Sequence, residues 1–218
     1  EAILSESPEC GEVIFPIFNG HDLNTMPQLV PYRWVIYFRD WPEERARSFS
    51  AAFRRVESMV KPFRDGLTGQ IHQDCFWKFW DIRPGLVREV ERHESVLASA
   101  IVTKYVIFRR VPSRNIYTTK ANLFFLHNWS SFSVLQSSIH QEWAIWNCGT
   151  LGAATLNYST SYAMETWPMP VLDSNEELDA LGERYHSHRE SLLAEEAIGL
   201  TQLYNRFHDR SDDASRID

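Results

Sequence analysis

The sequence predicts an α+β fold, in which a small mixed β-sheet is packed by helices and followed by a helical C-terminal region. Two periodicities support this prediction. Some short segments alternate apolar and polar residues, whereas longer ones repeat apolar residues every three or four positions. The chain has 218 residues, of which 44% are hydrophobic, so it can bury a sizeable core.

Four segments are predicted to form the sheet, at residues 13–18, 34–38, 96–108 and 116–126. In the third segment the apolar residues occupy every second position, as expected of a half-buried strand. These residues are Val96, Ala98, Ala100 and Val102. The Val-Pro-Ser-Arg-Asn sequence at residues 111–115 predicts the turn that follows this strand.

Two helices are predicted in the first half of the chain. The first ends near Pro62, because proline cannot continue a helix. Its apolar positions are Ala52, Phe53, Val56 and Val60. The second begins at Pro84 and runs to about Arg92. The aromatic residues just before it are interpreted as core, and they are Phe76, Trp77, Phe79 and Trp80.

Residues 125–170 combine an amphipathic helix, a polar connector and an aromatic-proline stop. Apolar residues spaced by three or four positions predict a single helix with one buried face. These residues are Phe132, Leu135, Ile139, Trp143 and Trp146. Ser130 or Ser131 can cap the start of this helix, and Gly149 suits its end. The prolines at 168 and 170 then prevent a regular continuation.

A helical extension over residues 171–218 is expected to follow a first domain of residues 1–170. Ser174 and Glu177 have the spacing of a capping box. The predicted apolar stripe of the helix consists of Leu178, Leu181, Tyr185 and Leu192. Residues 199–208 are expected to complete a helical hairpin, and residues 210–218 are polar and expected to fray.

Charge is distributed unevenly along the chain. The net charge is -7, which argues against a protein that holds DNA by overall attraction. Residues 30–120, however, contain 17 Lys and Arg against 10 Asp and Glu, so a basic middle lies between acidic ends. This pattern is compatible with a local DNA-facing surface, and a mixed, solvated surface is the alternative interpretation.

Two groups of basic residues are candidate DNA contacts. The denser group is Lys104, Arg109, Arg110, Arg114 and Lys120. Arginines on a strand or turn can place a planar fork against guanine O6 and N7. Because adjacent strand residues face opposite sides, at most one of Arg109 and Arg110 is expected to face a groove. Lys61 and Arg64 of the second group are candidates for phosphate contacts. Most members of this group are interpreted as a solvated helix face; the group is Arg45, Arg47, Arg54, Arg55, Lys61 and Arg64.

The polar connector supplies the remaining candidates. Its hydroxyl and amide side chains can read base edges without bringing charge. The selected residues are Asn147, Thr150, Asn157, Tyr158, Ser159 and Thr160. Catalysis within the chain is not expected, because the sequence has no nucleophile elbow or phosphate-binding glycine loop. The histidine and cysteine spacings suggest no metal site.

Two segments within residues 125–170 also carry sequence motifs. Residues 134–140 read Val-Leu-Gln-Ser-Ser-Ile-His, with Trp143 following, and residues 165–170 read Glu-Thr-Trp-Pro-Met-Pro after the Asn-Tyr-Ser-Thr sequence at 157–160. They resemble the "gvLqSsiHe.Wa" helix and the "rYtpsd.fetFPfP" segment of large adenine-specific DNA methyltransferases of restriction-modification and phage-defence systems. Asn157 stands where that family commonly has a basic residue.

Four further segments resemble the same family in the same order along the chain. They are residues 16–23, 33–38, 60–64 and 199–209, similar to "PylnGkDi", "rwvIdF", "VkPeR" and "GLTklYNrFHdp". Each segment alone is a weak match. Their order makes the resemblance specific, and it extends over most of the chain.

The resemblance implies the target-recognition and C-terminal region of such an enzyme, of type IIG/IIL, DISARM or BREX-like kind. In the family, the catalytic half binds S-adenosylmethionine through a Gly-rich turn and acts on a flipped adenine with an Asn-Pro-Pro-Tyr motif. Neither motif occurs in this sequence. We therefore expect a fragment without catalytic residues, cofactor or metal, whose parent enzyme binds S-adenosylmethionine.

The implied partners are double-stranded DNA, the upstream methyltransferase domain of the same parent chain, and other subunits of a defence complex. The expected location is the cytoplasm, without a membrane. The alternative is a protein-interaction domain that docks a partner subunit through its acidic helical tail or an exposed aromatic patch.

Overall fold

The computed structural model describes residues 2–67, 74–81, 83–152, 155–172 and 175–209. Its helices are α1 (Ala2–Glu6), α2 (Gly20–Thr25), α3 (Glu43–Ser48), α4 (Ser50–Met59), α5 (Lys61–Asp65), α6 (Pro84–Glu91), α7 (Trp129–Gln136), α8 (Ser138–Asn147), α9 (Glu176–Glu196) and α10 (Leu200–His208). A 3₁₀ turn spans Pro8–Glu12, and a π-helical turn spans Thr160–Met164. The strands are β1 (Ile14–Phe18), β2 (Trp34–Ile36), β3 (Ser95–Ala100), β4 (Val102–Thr103), β5 (Arg109–Pro112), β6 (Ile116–Tyr117), β7 (Ala121–Phe124), β8 (Thr150–Leu151) and β9 (Thr155–Asn157).

These elements confirm the predicted α+β class. Within the described residues, the strands form three small sheets of order β2–β1–β6, β5–β3–β7 and β4–β9–β8, instead of one. The segment predicted as a single strand at 96–108 divides because its partners change at Ile101. The Ile101 N–H donates to the carbonyl of Lys120, and its own carbonyl accepts from the Tyr158 N–H. β3 therefore pairs with β5 and β7, whereas β4 pairs with β9.

The chain forms two compact units. Unit 1 comprises Glu1–Ile17, Pro31–Glu94 and Arg114–Ile116, and unit 2 comprises Phe18–Val30, Ser95–Ser113 and Tyr117–Asp218. Both are assembled from segments distant in sequence. The predicted boundary near residue 170 falls inside unit 2.

The core of unit 1 is aromatic and forms around α4. Phe53 of α4 packs against Phe38 and Phe76. Trp77 is also buried, and its indole N–H donates to the carbonyl of Trp41. Phe79 and Trp80 were also predicted to lie in the core, and this prediction is wrong because both are exposed. The helix predicted to end near Pro62 ends slightly earlier, at Met59, and Pro62 lies in the first turn of the next helix, α5.

In unit 2, strand β3 is buried along both faces, and the C-terminal helices complete the core. The hairpin of α9 and α10 confirms the predicted hairpin, and Ile107 packs with Leu193, Leu200, Leu203 and Tyr204. The predicted apolar stripe of α9 is wrong in detail, because Leu181 and Tyr185 are exposed. Its buried positions are instead Gly182, Arg189 and Leu193. A Cβ at Gly182 would lie 2.6 Å from the Trp129 carbonyl oxygen, so glycine permits the close contact with α7.

The start of α9 differs slightly from the predicted capping box. Asn175 caps the helix, with its side-chain oxygen accepting from the Leu178 N–H. Ser174 and the polar residues 210–218 lie outside the described residues. Among the residues that the structure describes, no helix is long and apolar enough to cross a membrane.

The single helix predicted within residues 125–170 is two helices, α7 and α8. Ser137 has an extended backbone and caps α8 by accepting from the His140 N–H. Asn128, and neither of the predicted serines, caps α7. The apolar stripe therefore does not continue across the break: Phe132 and Leu135 are buried, but Ile139 is 71% and Trp146 85% exposed.

Candidate nucleic-acid interface

The β4–β9–β8 sheet exposes part of the predicted polar connector. Antiparallel pairing places Asn157 opposite Val102 and Leu156 opposite Thr103. Side chains alternate along β9, so Leu156 is buried while Asn157 is exposed on the outward face. Thr150 of β8 is also exposed, but it pairs with Leu156 and therefore lies on the other side of the sheet. The outward face thus presents the Asn157 amide beside the exposed Val102 side chain.

The other connector candidates differ in exposure. Asn147 is exposed at the end of α8, with its side-chain amide donating to the Trp143 carbonyl. Ser159 and Thr160 are half-buried. The Ser159 N–H donates to the Cys148 sulfur over 3.4 Å. Asn147 can therefore meet a ligand directly, whereas Ser159 and Thr160 are accessible only in part.

Tyr158 supports this sheet from inside unit 2, and its interpretation as a DNA contact needs correction. Its side chain is 1% exposed, and its hydroxyl lies 3.0 Å from Nε2 of the fully buried His140. Burial raises the pKa of Tyr158 above its ordinary value and lowers the pKa of His140 to about 4. Both groups are therefore neutral near neutral pH, and Tyr158 holds the connector against the helices.

A polar cleft of about 790 Å³ lies beside the outward face in unit 2. Lys104 and Lys120, two of the predicted basic contacts, line it. The remaining lining residues come from α2, β4, β9 and the start of α10; they are Asn19, Gly20, His21, Asn24, Thr25, Val102, Thr103, Thr155, Gly199, Thr201 and Gln202. The cleft therefore combines two ammonium groups with hydroxyl and amide side chains.

Arg109 does not belong to this surface, because its side chain is only 4% exposed. Its guanidinium donates to the carbonyls of Met26 and Pro27 over 2.9 and 2.7 Å, and to the Glu190 carboxylate over 2.6 Å. All the acceptors are within the protein. The prediction of Arg109 as a DNA contact is therefore corrected: this arginine joins strand β5 to helix α9 and to the loop after α2.

Arg110 points to the other side of β5, as the strand geometry predicts. Its guanidinium lies 4.2 Å from the centre of the Trp129 ring and donates to the His127 carbonyl. Burial lowers its pKa from the ordinary value. Arg110 is therefore a half-buried packing group as well as a cation.

The other three basic candidates belong to unit 1, where Arg114 is exposed in the turn after β5. Lys61 lies over the Phe76 ring at 5.2 Å. The Arg64 guanidinium donates to the carbonyls of Cys75 and Lys78, and burial lowers its pKa. The Arg64 contacts thus join α5 to the loop at residues 75–78. Lys61 and Arg64 are half-buried, whereas Arg114 is exposed.

With this arrangement established, sequence comparison identifies the family. The sequence profile described as "MmeI, target recognition domain" matches residues 1–171. The chain belongs to the MmeI target-recognition-domain family. The resemblance to restriction-modification proteins is thereby confirmed.

Structural comparison agrees with this assignment to the MmeI target-recognition-domain family. A solved structure of the Type IIL restriction-modification enzyme MmeI in complex with DNA matches 99% of this chain with a TM-score of 0.65 and 15% identity. The two proteins share a fold. The match covers 27% of the MmeI chain, so this chain spans about a quarter of its length. No curated protein sequence matches the chain.

In this member of the MmeI target-recognition-domain family, the sequence alone did not indicate several cleft residues. His21, Thr155, Thr201 and Gln202 line the cleft but come from three separate segments. Thr155 lies inside the polar connector, but nothing in the sequence distinguished it from the other hydroxyl residues there. Among the described residues, no group of three or more His, Cys, Asp or Glu side chains could hold a metal ion.

The fully buried His140 and the partly buried His186 predict that the stability of this domain depends on pH. Burial lowers the pKa of His140 to about 4 and that of His186 to about 3. The unfolded state therefore binds more protons below the ordinary value of 6.5. The folded state has its full stability with respect to these two histidines above that pH, and it loses stability as the pH falls because the unfolded state takes up protons. We expect the free energy of unfolding to decrease by about 1–3 kcal/mol between about pH 7 and about pH 5.

Urea unfolding at the two pH values measures this loss. His140→Gln should reduce the pH dependence, because glutamine does not take up a proton in the unfolded state. His188→Gln is the control, since His188 is exposed on α9. Equal stability of the unsubstituted protein at both pH values would contradict the prediction.

Proposed function

We propose that this chain is the sequence-specific DNA target-recognition module of an S-adenosylmethionine-dependent adenine-N6 DNA methyltransferase, in a restriction-modification or phage-defence system. Membership of the MmeI target-recognition-domain family supports this role, as does the fold shared with an MmeI structure that contains DNA. The observation that carries the proposal is the uncharged outward face of the β4–β9–β8 sheet, on whose central strand the Asn157 amide is exposed.

The chemistry of this face suits base reading. An asparagine side chain can bond adenine N6 and N7 together, and threonine hydroxyls accept from or donate to several base edges. We assign direct contacts to Asn157 on this face and to the exposed Asn147 and Thr150 outside it, and supporting contacts to the half-buried Ser159 and Thr160. Because these groups are neutral, they contribute discrimination between sequences and little electrostatic attraction.

Methyl transfer is assigned to a domain outside this chain. S-adenosylmethionine carries ribose hydroxyls and an ammonium group, for which a carboxylate is the usual protein partner. The polar cleft has no Asp or Glu among its lining residues. The cleft therefore does not fit this cofactor, and the chain's own contribution is to hold the duplex in register for the reacting domain.

Selection from a random duplex library tests the proposal. The 218-residue chain should enrich a defined sequence, and Asn157→Ala should weaken the preference at one base pair by about 1–3 kcal/mol. Gln28→Ala removes an exposed amide elsewhere in unit 2 and should leave the preferred sequence unchanged. Binding without enrichment of any sequence would reject a target-recognition role.

A further inference from the structure

The polar cleft carries positive charge that no carboxylate of its lining neutralises. Its two charged lining residues are Lys104 and Lys120, and the lining contains no Asp or Glu. Within the part of the chain that the structure describes, neither lysine forms an ion pair; the Lys104 ammonium instead donates to the Asn205 side-chain oxygen over 2.6 Å. This local positive charge contrasts with the net charge of -7 of the whole chain.

Three exposed arginines of unit 1 show the contrast. Arg47, Arg54 and Arg83 each pair with a carboxylate on the surface. Such pairs satisfy the positive groups within the protein. Among the described residues the cleft lysines have no carboxylate partner, so their charge is available to an anionic ligand.

Other hydrogen-bonding side chains line the cleft beside these lysines. His21 and Gln202 are exposed in the cleft, and Thr155 and Thr201 are partly exposed. Contacts to the phosphates of DNA come mainly from Lys and Arg, together with Ser, Thr, Asn and Gln side chains. The donor set of the cleft therefore matches a phosphodiester chain in both its charged and its neutral groups.

The cleft is continuous with the outward face of the β4–β9–β8 sheet. Val102 lines the cleft and lies opposite Asn157 across the β4–β9 pair. Thr155 also lines the cleft and lies opposite Leu151 across the β8–β9 pair. A ligand bound in the cleft would thus extend next to the residues assigned to base reading.

We propose that the cleft holds the sugar–phosphate backbone of DNA through contacts that do not depend on base sequence. This proposal rests on the proposed function. It assigns backbone binding to the cleft and base recognition to the adjoining outward face. The cleft lysines supply the salt-dependent affinity that the neutral outward face lacks, and the position of the backbone in the cleft sets which base edges Asn157 meets.

Fluorescence anisotropy with a short random-sequence duplex, repeated over a range of salt concentrations, tests this proposal. The double variant Lys104→Ala/Lys120→Ala should bind about tenfold or more weakly, and the salt slope should fall by about 2, one for each lost phosphate contact. Lys104→Arg/Lys120→Arg keeps both charges and should retain most of the affinity. Arg184→Ala, an exposed charge on α9 outside the cleft, should change the slope little.

The same titration with a sequence enriched from the library separates the two proposals. Equal fold-losses on random and enriched duplexes support backbone contact, whereas a loss confined to the enriched duplex overturns it. An unchanged salt slope in the folded double variant also overturns it, even if sequence preference remains. Salt-dependent binding that needs the lysines, but shows no sequence preference, would uphold the cleft assignment and reject target recognition.

Discussion

Replacement of Arg109 by alanine is expected to lower the free energy of unfolding by about 3–4 kcal/mol. The guanidinium donates to two backbone carbonyls in the loop after α2 and to the carboxylate of Glu190 on α9. Alanine leaves these acceptors without their donor. It also removes the 2.6 Å ion pair of Glu190, which keeps Arg189 only at 3.8 Å. The loss exceeds that of an ordinary surface pair, because Arg109 itself is almost completely buried.

Urea unfolding of matched variants measures the effect. Arg109→Lys keeps the charge, but one ammonium cannot reproduce the planar fork that reaches all three acceptors, so an intermediate loss is expected. Arg114→Ala removes an exposed arginine nearby in sequence and should change stability by less than about 0.5 kcal/mol. Full stability of Arg109→Ala, combined with an altered DNA sequence preference, would show that Arg109 does contact bases.

The case of Arg109 shows where sequence reasoning reaches its limit. The alternation from Val96 to Val102 correctly predicted β-structure, but residues 104–108 are not in a strand. The predicted turn at 111–115 starts too early, because Val111 and Pro112 belong to β5. The partners of Arg109 lie 81 to 83 positions away along the chain. No local pattern encodes such a contact, so a buried arginine and a DNA-binding arginine look alike in the sequence.

The break at Ser137 illustrates a second limit. The apolar spacing from Phe132 to Trp146 fits one helix, and the periodicity carries no sign of an interruption. The extended backbone of Ser137 changes the direction of the chain between α7 and α8. Local capping therefore overrides a continuous pattern, and this explains why Trp146 is exposed while Phe132 is in the core.

The sequence predicted individual residues of the candidate site but not the cleft that they line. Lys104, Lys120 and Asn157 stood out as charged or polar residues in suitable segments, and the structure places them in one unit around adjoining surfaces. The walls of the cleft depend on the approach of α2 to α10, whose sequences are about 180 residues apart. That approach is visible only once the backbone is folded.

Gly199→Ala is expected to lower the free energy of unfolding by about 2–4 kcal/mol, through a clash at this approach. A Cβ at residue 199 would lie 2.5 Å from the carbonyl oxygen of Thr25 and 2.6 Å from its carbonyl carbon and Cα. These are backbone atoms, so no rotamer change can relieve the overlap. Gly199 has φ of -85°, a value that alanine adopts readily, and the expected cost is therefore steric and not conformational.

Thermal and urea unfolding of Gly199→Ala should be compared with Gly149→Ala, where a Cβ would meet nothing within 4 Å. The control should change stability by less than about 0.5 kcal/mol. Because Thr25 and Gly199 both line the cleft, the displacement that relieves the clash should also weaken binding of a random duplex under conditions where the variant is folded. If both variants were equally stable, α2 and α10 would have to be farther apart than the structure places them.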